Sequence, residues 1–187
     1  MVSLIHPQYK QQVPVIQEAF SVRAPKVVIL DEFLQKDELK RIESLLKPNK
    51  RKEVGVPDQY RLHEVQAKSV IDFFEHDSAL RAFMGMILGK IVKEVKVKVL
   101  ELHASDYSVL HDKLQENGVA EFLLFFSDGT KGAGGAKVFI ANNEKTEVLA
   151  KRNRFVLIEK KNVQSYWQYC NHTMGKNRIL VIQGLIK

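Results

Sequence analysis

Apolar and polar positions change their period near the middle of the chain. In the first half the spacing is helical: Leu39, Ile42, Leu45 and Leu46 recur at three- and four-residue intervals, as do Leu80, Phe83, Met84, Ile87, Leu88 and Ile91, so each set lies on one helix face. A β-branched run, Val27-Val28-Ile29-Leu30, predicts a strand before the first of these helices. Asp31 is placed to cap that helix, and Pro48 and Asn49 stop it. Residues 69–91 read as helical with a break at His76-Asp77-Ser78, and Met84 and Met86 are expected to fill core. Between the two helical regions, Lys50 to Asp58 is basic and turn-rich; it reads as an exposed loop and a candidate binding patch.

Beyond Val92 the period becomes two. Val95, Val97 and Val99 alternate with Lys96 and Lys98, the pattern of a strand with one buried face. Further short strands are predicted at about 106–111, 119–127, 136–141, 145–150, 154–159, 164–170 and 177–186, divided by turn-forming segments such as Ser127-Asp128-Gly129 and His172-Thr173-Met174-Gly175. About eight strands at this spacing predict a double-sheet jelly roll. With the helices of the first half packed on one side, the fold class is α+β.

The 187 residues suit a single domain, 1–187, with a helix-rich support over 1–92 and a jelly-roll core over 93–187. At 45% hydrophobic and 27% charged the composition excludes disordered and fibrous classes. The longest apolar runs, Phe122–Phe126 and Phe155–Ile158, are far short of a bilayer span, and the first residues lack the basic and apolar regions of a secretory signal. An intracellular protein, cytoplasmic or nuclear, without a membrane partner is expected. One cysteine, Cys170, rules out an internal disulfide and a thiolate zinc site. The net charge of +7 favours acidic partners.

No nucleophile elbow, P-loop, dinucleotide fingerprint or His-Glu-x-x-His occurs. The paired glycines Gly134 and Gly135 precede a strand rather than a helix, so they read as backbone-geometry residues and not as a phosphate cradle. His6, His63 and His76 are expected to be exposed. His103 ends a strand close to the pocket rim. Tyr107, Tyr166, Trp167 and Tyr169 gather at the same mouth, either as packing or as an aromatic wall for a peptide, proline ring or base.

Five motifs follow one another in order: Val27 to Leu34 with Lys36-Asp37-Glu38-Leu39; Ser105-Asp106-Tyr107-Ser108-Val109-Leu110-His111-Asp112-Lys113; Gly134-Gly135-Ala136-Lys137-Val138; Asn153-Arg154-Phe155-Val156-Leu157-Ile158; and Arg178-Ile179-Leu180-Val181. Together they resemble the 2-oxoglutarate- and Fe(II)-dependent dioxygenases, in particular the prolyl-4-hydroxylase-like branch, whose core is a double-stranded β-helix. The resemblance covers about 27–46 and, more tightly, 97–186. It implies a first iron ligand at His111, a carboxylate ligand at the position held by Lys113 and a second histidine at the position held by Trp167. It also implies that Arg178 clamps the far carboxylate of 2-oxoglutarate.

Such an iron site needs two imidazoles and a carboxylate on one face of the metal. Side chains alternate along a strand, so Asp112 points away from the face shared by 111 and 113 and cannot replace Lys113 without a bulge. An ammonium at that position repels Fe(II). The expectation is a catalytically degenerate member, a binding or scaffold module. Its basic pocket, rimmed by Tyr107, Trp167 and Tyr169, would use Lys113 and Arg178 to receive an acidic ligand, peptide or protein partner. Alternatively Lys113 reaches out to water and Trp167 fills the pocket as core. A different alternative is an active hydroxylase of a protein or nucleic acid. It would use Fe(II), 2-oxoglutarate, His111 and Arg178, with other ligands from unexpected positions; Cys170 and His172 lie nearby but would require a shift of the last hairpin. Nucleic-acid binding through the basic stretches 47–52 and 151–161 would require both on one face.

Overall fold

The computed structural model describes residues 4–22, 25–109 and 118–187. The first half supplies helices α1 (Pro7–Gln11), α2 (Val13–Ser21), α3 (Lys36–Leu46), α4 (Lys68–His76) and α5 (Ser78–Leu88), together with strands β1 (Val27–Leu30), β2 (Arg51–Val56) and β3 (Tyr60–Val65). The second half adds β4 (Val95–Leu102), β5 (Tyr107–Ser108), β6 (Ala120–Phe125), β7 (Lys137–Ala141), β8 (Glu144–Val148), β9 (Phe155–Glu159), β10 (Gln164–Trp167) and β11 (Ile179–Ile186). The larger sheet runs β1-β9-β6-β11-β4-β3-β2, with β5 paired to β3, and the smaller one runs β10-β7-β8. All these ladders are antiparallel.

The period-two pattern of β4 shows why two cores form. Val95, Val97 and Val99 face the helices, where they join Phe33, Phe74, Phe83, Phe122, Phe155 and Ile182 in one cluster. The alternate positions Leu100 and Leu102 face the smaller sheet and join Phe125, Phe139, Val156, Trp167 and Val181 in a second. Phe33 stacks on Phe155 with ring centroids 4.2 Å apart, tying the segment before α3 to the larger sheet. Asn153, at φ 63°, completes that tie. Its side chain accepts from Leu34 N at 2.8 Å and donates to Leu34 O at 3.0 Å.

The helix break at 76–78 is real: Asp77 separates α4 from α5, and its side chain accepts from Leu80 N at 2.6 Å. Several expectations are corrected. Asp31 caps nothing; α3 starts after Gln35, and Asp31 instead pairs with Arg154 at 2.7 Å and Lys151 at 2.8 Å. Leu45 is 38% exposed, Met86 50% and Ile91 86%, so they lie off the buried stripes, Ile91 because α5 has already ended at Leu88. Residues 50–58 are not a loop but β2 and its turn, paired with β3 from Arg51↔Val65 to Val56↔Tyr60. As an edge strand almost wholly exposed, β2 needs backbone pairing rather than apolar alternation, and its Lys and Arg guard the edge. Helices α1 and α2, which bury Tyr9, Val13, Ile16 and Phe20, carried no recognised signal.

Candidate functional site: the polar cavity between the sheets

Register places charge inside the double sheet. Lys96 stands opposite Leu185, which stands opposite Glu121; one step deeper, Lys98 stands opposite Gln183 and Gln183 opposite Leu123; beyond these come Leu100, Val181 and Phe125. The inner face of the larger sheet therefore grades from apolar to polar toward one end. There a cavity of about 1120 Å³ opens between the sheets, reaching Ser108, Val109, Gln164 and Trp167.

At its wall the smaller sheet contributes Lys137. Burial is nearly complete for both members of an ion pair that crosses from one sheet to the other: Lys137 Nζ lies 3.6 Å from Glu121 Oε1, with side chains 6% and 5% exposed. Gln183 Nε2 donates to the same Oε1 at 3.0 Å. The ammonium also stands 5.0 Å from the Trp167 ring centroid and 5.9 Å from that of Phe139. Burial pushes the Lys137 ammonium below its ordinary pKa, opposed by Glu121 and reinforced by Lys160. Apart from this pair and His76, the lining holds Lys96, Lys98, Lys160, Lys187 and Arg81 against Glu64, Glu75 and Glu94, so the cavity is cationic.

Trp167 lies where core is needed. It is 2% exposed, meets Phe125 edge-on at 6.3 Å, and its backbone N–H donates to Ser108 Oγ at 2.7 Å. Tyr107, Tyr166 and Tyr169 line a shallow cleft of about 430 Å³ together with Ser108, Val109 and Trp167. Among the described residues the cations and the aromatic rim lie in two adjoining hollows, a cationic cavity and an aromatic cleft, which share Ser108, Val109 and Trp167. Arg178 lines neither. Half-buried just before β11, it donates to its own turn, to Asn177 O at 2.8 Å and Gly175 O at 3.3 Å. His111 and Lys113 lie outside the described residues.

Gly134 and Gly135 have φ of 77° and 75°, and a side chain on Gly134 would run into the Tyr169 carbonyl. Their role is backbone geometry, as expected. Cys170 is buried, and burial pushes its thiol up to about 12, so it is no thiolate at neutral pH. His172 is exposed in a short 3-10 turn.

A second polar cluster lies outside the cavity. Contrary to expectation His63 is not exposed; its ring stacks on that of His103 at 3.8 Å, its Nδ1 lies 2.8 Å from Asp106 Oδ2, and His103 Nε2 lies 2.9 Å from Glu101 Oε1. Arg51 closes the cluster with two bonds to Glu101 Oε2 at 3.0 and 3.1 Å. Burial lowers the His103 pKa, with His63 and Arg178 adding to the effect and Glu101 opposing it. Burial also pushes the Glu101 carboxyl up, but the bonds from Arg51 and His103 outweigh it and hold it below its ordinary value. His6 too is half-buried, leaving only His76 as exposed as expected. In the basic stretches, Arg51, Lys151, Arg152 and Arg154 are paired with acids of this chain.

Glu121 and Gln183 lie outside the five motifs, and Lys137, though inside one, receives no role from it. The available signal was parity: each is a polar residue at an inward position of a strand that is otherwise apolar on that face. The described residues that line the cavity do not fit an iron triad. Among the described residues no three His, Cys, Asp or Glu side chains converge to hold a metal ion, and the inward carboxylate, Glu121, is already engaged by Lys137 and Gln183. Among the described residues no helix is long and apolar enough to cross a membrane.

No protein-family model matches the sequence, and no curated protein matches it. Solved structures do. A prolyl-4-hydroxylase from Pseudomonas putida superposes with a TM-score of 0.69 at 10% identity, covering 94% of this chain and 98% of that one. A 2OG-Fe(II) oxygenase family oxidoreductase from Burkholderia pseudomallei gives 0.70 at 11%, covering 94% and 90%. A Trichoplax adhaerens prolyl hydroxylase, solved with a hypoxia inducible factor peptide fragment, gives 0.71 at 8%, covering 96% and 90%. With its helices on one face of the larger sheet and the smaller sheet on the other, the chain has the α+β double-stranded β-helix fold of the prolyl-4-hydroxylases and related 2OG-Fe(II) oxygenases.

Proposed function

We propose that this chain is a catalytically degenerate relative of the oxygenases whose fold it has, and that it works as a binding module for a small acidic ligand taken into the cavity between the sheets. The observation that carries this reading is the Lys137–Glu121 pair. The pair fixes an ammonium beside Trp167 but is neutral in itself, and it is the surplus of cations around it, Lys96, Lys98, Lys160, Lys187 and Arg81 against Glu64, Glu75 and Glu94, that gives the cavity positive charge without a metal. A carboxylate or phosphate entering there gains charge-assisted hydrogen bonds in a site shielded from bulk water. Lys137 takes the electrostatic role expected of Lys113 and Arg178, and Trp167 serves as a packed wall. A peptide or protein bearing the acidic group is the larger form of the same ligand, and the tyrosine cleft beside Trp167 is where its neighbouring residues would lie.

The test is titration calorimetry with malonate and inorganic phosphate. One-to-one binding that weakens with added salt, and that Lys137→Met abolishes while leaving the circular dichroism spectrum unchanged, supports the reading. Absence of heat with both anions overturns it. Turnover of 2-oxoglutarate in the presence of Fe(II) would favour the active-hydroxylase alternative instead.

A further inference from the structure

We propose that Lys137 is a covalent capture residue, forming a reversible imine with a small aldehyde or ketone that carries an anionic group. The inference rests on the anion-binding reading of the cavity and goes beyond it by assigning the cavity a bond-forming step.

Three placements support it. Lys137 is the one buried lysine among the described residues, and it still borders the cavity. An amine attacks a carbonyl only through its unprotonated form, and withdrawal from water is what makes that form accessible. Burial lowers the Lys137 pKa, which agrees with this geometry. The second placement is Glu121 Oε1 at 3.6 Å, a base held where it can take a proton from the ammonium and return it. Third, the Trp167 ring at 5.0 Å and the Glu121 carboxylate both favour a positive charge on that nitrogen, which the protonated imine retains.

The step balances without any oxidant or reductant. Glu121 accepts a proton from the Lys137 ammonium, and the freed lone pair forms a bond to the carbonyl carbon. A proton passes from the newly bonded nitrogen to the carbonyl oxygen, giving a neutral carbinolamine with a lone pair on nitrogen. A proton delivered from Glu121 lets that hydroxyl leave as water while the nitrogen lone pair closes the C=N bond. One water is released for each imine formed. The anionic group of the ligand is held by the cations that line the cavity, Lys96 and Lys98 among them. Gln183, bonded to Glu121, is a positioning residue that keeps the carboxylate turned toward Lys137.

Borohydride trapping tests the proposal on the full-length protein. Glyoxylate serves as the carboxylate-bearing probe, pyridoxal phosphate as the phosphate-bearing one and propanal as the uncharged control, with labelled peptides mapped by mass spectrometry. The expected result is one adduct at Lys137 with one or both anionic probes, little with propanal, and protection by malonate. Whichever anionic probe labels identifies the group preferred. Glu121→Gln should slow labelling by about a hundredfold. If that variant does not fold, malonate protection of the wild type decides the matter. Labelling spread over surface lysines with Lys137 unmodified, or labelling of Lys137 that malonate does not affect, overturns the proposal. Malonate heat without any Lys137 adduct leaves the anion-binding reading standing and removes the covalent step alone.

Discussion

Glu121 Oε1 receives the Gln183 amide at 3.0 Å and faces the Lys137 ammonium at 3.6 Å, so one carboxylate oxygen joins β6 and β11 of the larger sheet to β7 of the smaller. Beside it lies the apolar cluster around Trp167. Removing one partner of a buried pair leaves an uncompensated charge, and breaking such pairs costs about 3–5 kcal/mol. Lys137→Met is therefore expected to destabilise by about 3 kcal/mol. The double variant with Glu121→Gln should recover most of that loss, because no buried charge is left and Gln183 keeps a partner. Urea unfolding of the two singles and the double checks this; simple additivity would contradict it.

Stability should fall on mild acidification through His103. Its pKa is lower in the fold than in the unfolded chain, so between the two values the unfolded state holds more protons. The contribution is complete above the ordinary histidine value of 6.5 and is lost as pH drops below it toward the folded-state value. Glu101, also lowered, extends the loss below its ordinary 4.5. His103→Gln should flatten the slope of unfolding free energy between pH 7 and pH 5. An unchanged slope would mean that His103 does not titrate as its burial implies.

Asn153→Ala should be among the more damaging substitutions. It strips partners from both Leu34 N and Leu34 O in a buried place, and each lost partner costs about 1–3 kcal/mol. It also puts an alanine at φ 63°. A loss of about 3 kcal/mol in chemical denaturation is expected. A loss below about 1 kcal/mol would show that the other ties of this segment, the Phe33–Phe155 stack and the bond from Phe33 N to Asn153 O among them, hold it without the Asn153 side chain.

Gly184 in β11 pairs with Phe122 of β6, and the Phe122 ring occupies the space a Cβ would fill. Phe122 is fully buried and stacks on Phe155, so it has nowhere to move. Gly184→Ala should cost about 1–3 kcal/mol through overpacking. A thermal scan of the variant reads this directly, and an unchanged melting temperature would contradict it.

What could be read from the sequence follows from which forces are periodic. Strand β4 and helix α5 announce themselves because burial on one face repeats every second, or every third and fourth, residue. Strand β2 did not, because an exposed edge strand is held by backbone pairing to β3 and bears no apolar alternation. The motif order led to the right fold, yet motif positions directed attention to Arg178, which bonds within its own turn, and passed over Lys137. The partnership of Glu121, Lys137 and Gln183 joins residues up to 62 positions apart, and only the pairing of β6 with β11 and the packing of the smaller sheet on the larger bring them together. The stacked His63 and His103 went unrecognised for the same reason: β3 and β4 must pair before the two rings can meet.

Anaerobic titration calorimetry of the metal-free protein with Mn(II) or Fe(II), with and without 2-oxoglutarate, tests the central claim most directly. The account predicts no metal binding in either case, and an affinity for 2-oxoglutarate, as one acidic ligand among others, that is the same with and without metal. Micromolar metal binding that strengthens when 2-oxoglutarate is present would contradict it and restore the active-oxygenase reading.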